Sequence, residues 1–188
     1  MLVERSQSGD LAAFDALVTR YRGKVYAMIV NMVRNDADAW DLAQDVFLKA
    51  WKALPKFEAR SSFFTWIYRI TYNVTCDFVR RRKVTGSTEF DDTIRLDSVE
   101  SGAPTAPRRV DTPSERMAGS ELGSAIAAAL DQLSDDHRAA IIMREIDGMK
   151  YEEIAEAMGC STGTVMSRLF YARKRLQDLL ADVRGEMS

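Results

Sequence analysis

The stretch Tyr151-Glu-Glu-Ile-Ala-Glu-Ala-Met-Gly-Cys-Ser-Thr-Gly-Thr-Val-Met-Ser-Arg-Leu169 reads as two helices joined by a tight turn. Gly159 supplies the positive φ that such a turn needs, and Ser161 stands where the second helix needs an N-cap. Ala155 is small where the two helices must cross closely, and Ile154, Met158, Val165 and Leu169 are spaced to close the corner between them. This is a helix-turn-helix pattern, in which the second helix enters the major groove of duplex DNA. The open face of that helix carries Thr162, Thr164, Met166, Ser167, Phe170 and Tyr171. Arg168, Arg173, Lys174 and Arg175 are suited to phosphates or guanine edges. An ordinary helical hairpin with a solvated basic end fits the same spacing.

Outward from this stretch, the 188 residues divide by charge. Residues 1–84 hold 14 basic and 9 acidic side chains, residues 85–119 hold 4 and 7, and residues 120–188 hold 8 and 12. The net charge of −2 excludes a globally basic nucleic-acid binder and leaves room for a locally basic one. The segment 85–119 is rich in Ser, Thr, Gly, Pro and Asp, holds Pro104, Pro107 and Pro113, and shows no sustained period, so it reads as a flexible acidic linker. The chain is expected to be all-α: two small helical domains, 1–84 and 120–188, joined by that linker.

The helical reading rests on period. Phe14, Leu17, Val18, Tyr21, Val25, Met28, Ile29 and Met32 recur at three and four, with Asp10 as the N-cap and Asn35-Asp36 as the stop. A second helix runs from about Ala37 to Leu54, capped by Asp36 or Asp38 and stopped by Pro55. A third starts near Ser62 and carries Phe63, Ile67, Ile70, Val74 and Phe78 on one face. Further helices are expected near 116–132, 135–147, 151–158 and 162–182, with Ser134 or Asp135 as a cap and Gly148 as a left-handed stop. No apolar run is long enough to span a membrane, and the polar start Met1-Leu2-Val3-Glu4-Arg5 is unlike a secretory signal. Cys76 and Cys160 form no CxxC pair and fit a reducing cytoplasm. With His137 the single histidine, neither a metal nor another cofactor is expected.

Two more segments carry chemistry. Between 57 and 83, Phe57, Phe63, Phe64, Trp66, Tyr68, Tyr72 and Phe78 interleave with Arg60, Arg69, Arg80, Arg81, Arg82 and Lys83. Rings for stacking and cations for phosphates suit single-stranded nucleic acid. Arg69, Asn73, Cys76 and Arg80 are spaced to line one stripe opposite the apolar face, and an asparagine there can read a base edge. The alternative is that the aromatics are core and the basic run merely ends a helix favourably. On the preceding helix, Asp41, Gln44, Asp45 and Leu48 share one face, polar with one apolar member, which reads as a protein-docking patch or as a solvated face.

In this order the segments resemble a bacterial RNA polymerase sigma factor of the small extracytoplasmic-function, sigma-E-like type. The resemblance rests on Asp41-Leu-Ala-Gln-Asp-Val-Phe-Leu-Lys-Ala-Trp51, on Phe64-Thr-Trp-Ile-Tyr-Arg-Ile70 with Asn73 and Asp77, and on Tyr151 through Leu169. It covers essentially the whole chain. It implies that Asp41, Gln44, Asp45 and Leu48 dock on the clamp coiled coil of the polymerase β′ subunit. It implies that Phe57, Arg60, Ser61, Ser62, Trp66, Arg69, Asn73, Arg80 and Arg81 read the promoter −10 element, with a flipped non-template base held between the Phe57–Ser62 loop and Asn73. The second domain is then the −35 reader, through Thr162, Thr164, Met166, Ser167, Arg168, Phe170, Tyr171, Arg173 and Lys174, and also meets the β flap. A membrane-anchored anti-sigma partner is implied by the family alone. Met166 and Tyr171 stand where many relatives have basic residues. The two promoter elements lie ~70 Å apart, two helical turns, and 35 extended residues reach roughly 115–125 Å, so segment 85–119 is long enough to join their readers. Its net −3 also suits it to mimic nucleic acid in the polymerase's basic cleft.

Two other readings compete. A regulator that binds DNA unaided would use residues 151–175 and leave the aromatic-basic helix and the acidic face without purpose. A small helical enzyme or metal protein would use Asp36, Asp38, Asp41 and Asp45, but has no nucleophile-base pair to work with.

Overall fold

The structure, a computed structural model, describes residues 1–86 and 123–186. Among these residues every regular element is helical. The helices are α1 (Leu2–Gln7), α2 (Leu11–Val33), α3 (Asp36–Ala53), α4 (Phe63–Gly86), α5 (123–131), α6 (Asp135–Ile141), α7 (Tyr151–Met158) and α8 (Thr162–Glu186). The linker expected at 85–119 lies outside the described residues, except that α4 runs on through Gly86. Of the helix expected near 116–132, residues 123–131 are described and are helical.

Local chemistry sets the boundaries. Asp10 caps α2 as expected, its Oδ1 accepting from the Ala13 N–H at 3.0 Å. The α2–α3 junction differs from expectation. Arg34 closes α2 in the left-handed region at φ 57°, and Asn35 rather than Asp36 or Asp38 caps α3, accepting from the Asp38 N–H at 2.9 Å. The two aspartates sit inside the first turn, where their charges favour the helix dipole. Pro55 falls in a short 3-10 turn, Leu54–Lys56, that ends α3. The helix expected at 135–147 is α6 followed by a π turn, Ile142–Ile146, with the Asp147 N–H reaching back five residues to the Ile142 carbonyl. Ser134 caps α6, and Gly148 adopts φ 70°, as its position in the sequence suggested.

In the first domain, α2, α3 and α4 enclose Val25, Met28, Ile29, Val46, Leu54 and Ile67, all without solvent exposure. The second encloses Ile142, Met143, Ile154, Val165 and Leu169. The described parts of the two domains also pack on one another, with α4 against α7 and α2 against α6. The Tyr72 hydroxyl donates to Asp136 Oδ1 at 2.8 Å, and Lys83 pairs with Asp135 at 2.8 Å. Arg138 is buried at this seam. Its Nε donates to the Leu130 carbonyl at 2.8 Å and its Nη1 to the Met32 carbonyl at 2.9 Å.

This double cover corrects one expectation. Cys76 is not on the open stripe of α4. It is 3% exposed and its thiol is pushed up to about 11, chiefly by burial. The open stripe is Arg69, Asn73, Asp77 and Arg80, rotated away from both packed faces.

Asp147 carries a pH-dependent cost. Burial pushes its carboxyl above the ordinary range, against the opposing influence of the Tyr68 hydroxyl and Lys24, and its Oδ2 is buried without a partner. A raised folded-state value means the fold favours the protonated form. The cost is absent below the ordinary carboxylate range and complete above the raised value, so stability falls as pH climbs through that window. Asp147→Asn is expected to raise stability at neutral pH by about 1 kcal/mol and to lose that advantage as pH falls below the ordinary carboxylate range, as read by chemical denaturation across the range.

Candidate nucleic-acid interface

The loop between α3 and α4 is built from both ends. From α1, which shows no apolar period in the sequence, Gln7 Nε2 donates to the carbonyls of Phe57 at 2.7 Å and Leu54 at 3.1 Å. Ala59 sits in the left-handed region at φ 53°, uncommon for a residue with a Cβ, so the loop holds a bent shape. Ser62 caps α4, its Oγ accepting from the Thr65 N–H at 3.0 Å. The Phe57 ring lies 4.8 Å from Trp66, and both are half-buried. Phe63 and Trp66 are 5.5 Å apart. Arg60 is exposed and paired with Glu58 at 2.6 Å, and Ser61 is half-buried.

Sequence reading gave the aromatics two roles, and they divide between them. Phe63, Tyr68 and Tyr72 are core. Phe57 and Trp66 form a half-open ring cluster at the loop, beside the stripe of exposed Arg69, Asn73 and Arg80. Arg81 is exposed as well and donates from Nε to the Asp77 carbonyl at 3.1 Å. The result is a ring surface next to cations and one amide, the chemistry that single-stranded bases and phosphates require.

On α3, Asp41, Gln44, Asp45 and Leu48 are all exposed on one face, as their spacing predicted. Beside them α2 and α3 enclose an apolar groove of about 500 Å³, lined by Leu11, Phe14, Trp40, Phe47, Leu48 and Trp51 among others. The groove was missed in the sequence because four of its ten lining residues come from α2 and the rest from α3. Leu11 and Trp40, large apolar residues left exposed, were the available signal.

In the second domain, α7 and α8 meet at Gly159, which takes φ 64°. Ser161 caps α8, accepting from the Thr164 N–H at 3.1 Å. Val165 and Leu169 point inward, while Thr162, Met166, Ser167, Phe170 and Tyr171 point out. Thr164 is half-buried, its hydroxyl bonded to that of Ser161 at 2.9 Å. Two of the expected cations are already engaged. Arg168 turns inward to Asp136, beside the sulfurs of Met158 and Cys160. Arg173 pairs with Glu145 at 2.6 Å. Lys174 is exposed. The inward turn of Arg168 was legible, since it shares a helical face with Val165, Leu169 and Ala172.

Among the described residues no three His, Cys, Asp or Glu side chains are grouped to hold a metal, and no described helix is long and apolar enough to cross a membrane.

Comparison with known proteins identifies the family. The family described as Sigma-70 region 2 matches residues 17–85, and that described as Sigma-70, region 4 matches residues 124–176. The ECF RNA polymerase sigma-E factor of Escherichia coli (strain K12) is 38% identical over 178 residues, covering 95% of this chain and 92% of that protein. The RNA polymerase sigma-H factor of Pseudomonas aeruginosa is 38% identical over 186 residues, covering 96% and 95%. Among solved structures, CnrH in complex with the cytosolic domain of CnrY aligns with a TM-score of 0.69 at 26% identity over 96% of both chains. The sigma factor RpoE of Bartonella quintana, in complex with the anti-sigma factor NepR, aligns at 0.65 and 27% identity over 89% of this chain and 96% of that one. The chain belongs to the sigma-70 family of RNA polymerase sigma factors, in its extracytoplasmic-function branch.

Proposed function

We propose that this transcription initiation factor binds core RNA polymerase, brings it to promoters through −10 and −35 elements, and opens the −10 region by capturing a flipped non-template base. The observation that carries the reading is the half-open pair of Phe57, in the α3–α4 loop, and Trp66 beside exposed Arg69, Asn73 and Arg80 on α4. A base leaving the stack costs a few kcal/mol, and ring stacking, an amide and cations offset that cost. Strand opening then draws on binding energy, and neither a catalytic residue nor nucleotide hydrolysis is needed.

The exposed acidic face of α3, with its adjoining groove, is the surface for the β′ clamp coiled coil: carboxylates for cations at the rim and a groove for apolar side chains. Residues 1–84 dock and read the −10 element, residues 120–188 read the −35 element and meet the β flap, and residues 85–119 tether them in the cytoplasm. Two elements ~70 Å apart cannot be read at once while α4 rests on α7, so promoter binding parts the two domains. The names of the solved relatives support an anti-sigma factor as a further partner.

The test is transcription by core polymerase reconstituted with the chain on a promoter pool. Asn73→Ala is expected to change −10 preference and slow opening, leaving core affinity unchanged. Equal loss of core affinity would remove Asn73 from the base pocket.

A further inference from the structure

Resting on the reading of α8 as the −35 helix, we infer that this chain reads thymine methyl groups through an apolar facet made by Met166, Phe170 and Tyr171. These three are 53%, 62% and 59% exposed. Met166 and Phe170, four apart, are neighbours on the outer face of α8, and Tyr171 joins them through its ring, which meets that of Phe170 edge to face at 5.3 Å. Side chains this large and apolar, held out from the first turns of a recognition helix, have no packing role in the second domain.

The groups that read guanine are withdrawn from this facet. Arg168 is the single cation between Cys160 and Ala172, and it is turned inward on Asp136. Arg173 is tied to Glu145. The hydroxyls are also engaged: Ser167 donates to the Gly163 carbonyl at 3.1 Å, and Thr164 bonds Ser161. Lys174 is exposed one turn beyond Phe170, at the edge of the facet, and what remains between it and Met166 is mostly apolar surface. In the major groove the apolar feature a base pair presents is the thymine C5-methyl. A protein partner could also cover such a facet, but its place on the second helix of a helix-turn-helix puts base edges in front of it.

The experiment uses the full chain with core polymerase. A −35 sequence is selected from a randomised promoter pool, then remade with deoxyuridine for thymine one position at a time, which removes the methyl and keeps the pairing edge. Open-complex formation is expected to fall about fourfold for each contacted methyl. In holoenzyme carrying Met166→Ala, Phe170→Ala and Tyr171→Ala together, exposed residues that are not part of the buried core, the same deoxyuridines are expected to have no effect. Met166→Arg is expected to move the preference at the facing position toward guanine. A selected −35 element without thymine, or deoxyuridine harmless at every position, overturns the inference while leaving the promoter reading intact. Holoenzyme that initiates on no member of the pool defeats that reading and the inference with it.

Discussion

Asp45→Arg combined with Asp41→Arg is expected to lower affinity for core polymerase by about 100-fold or more, because like charges forced together at an interface cost several kcal/mol. Both residues are exposed and lie on the face of α3 that adjoins the apolar groove. Neither contributes to the domain core, so the variant is expected to fold normally and to keep its circular dichroism and denaturation midpoint. Asp45→Asn, which removes charge without reversing it, is expected to fall between. Titration of labelled chain with core polymerase reads the series directly. Unchanged affinity in the double reversal would move the docking surface off α3.

The second large effect belongs to a residue that the sequence did not single out. Arg138 is buried, with the carbonyls of Leu130 and Met32 on its guanidinium and Asp131 at 3.2 Å. Burial pulls its ionisation downward, while Asp131 opposes that pull. Met32 lies in the last turn of α2, so its carbonyl is one of those that a helix end leaves without an intrahelical donor. Arg138 supplies the donor from the other domain. Arg138→Leu strands the Met32 carbonyl, whereas that of Leu130 keeps the Leu133 N–H at 3.1 Å, and the variant is expected to cost about 2 kcal/mol, seen as a lowered denaturant midpoint. Because the residue bridges the domains, the variant is also expected to have a larger radius of gyration in small-angle scattering. A loss of stability below about 0.5 kcal/mol would show that the seam does not depend on this side chain.

These cases mark how much of the structure the sequence carried. The long helices α2, α3, α4 and α8 were legible because period 3.6 is a local signal and each has a local cap or stop. So was the shared exposed face of Asp41, Gln44, Asp45 and Leu48, which depends only on helical spacing within α3. Contacts between distant segments were not legible. Gln7 reaches Phe57 across fifty residues and Arg138 reaches Met32 across 106. Cys76 was misplaced for the same reason: the pattern shows that α4 has an apolar face, but not that the second domain, with Asp135 and Asp136 near this thiol, packs against another. The π turn after α6 was hidden because one extra residue per turn leaves no compositional mark.

The central claim is that rings and cations on α4 trap an unpaired promoter strand while α3 grips the polymerase. Permanganate footprinting of thymines at the −10 element, with purified chain, core polymerase and no nucleotide triphosphates, tests both halves at once. The account predicts reactive, unpaired thymines that appear only when chain and core are both present, and that fade when Phe57 and Trp66 are replaced by alanine. A promoter that stays fully paired with both components bound, or opens equally well without those two rings, would contradict it.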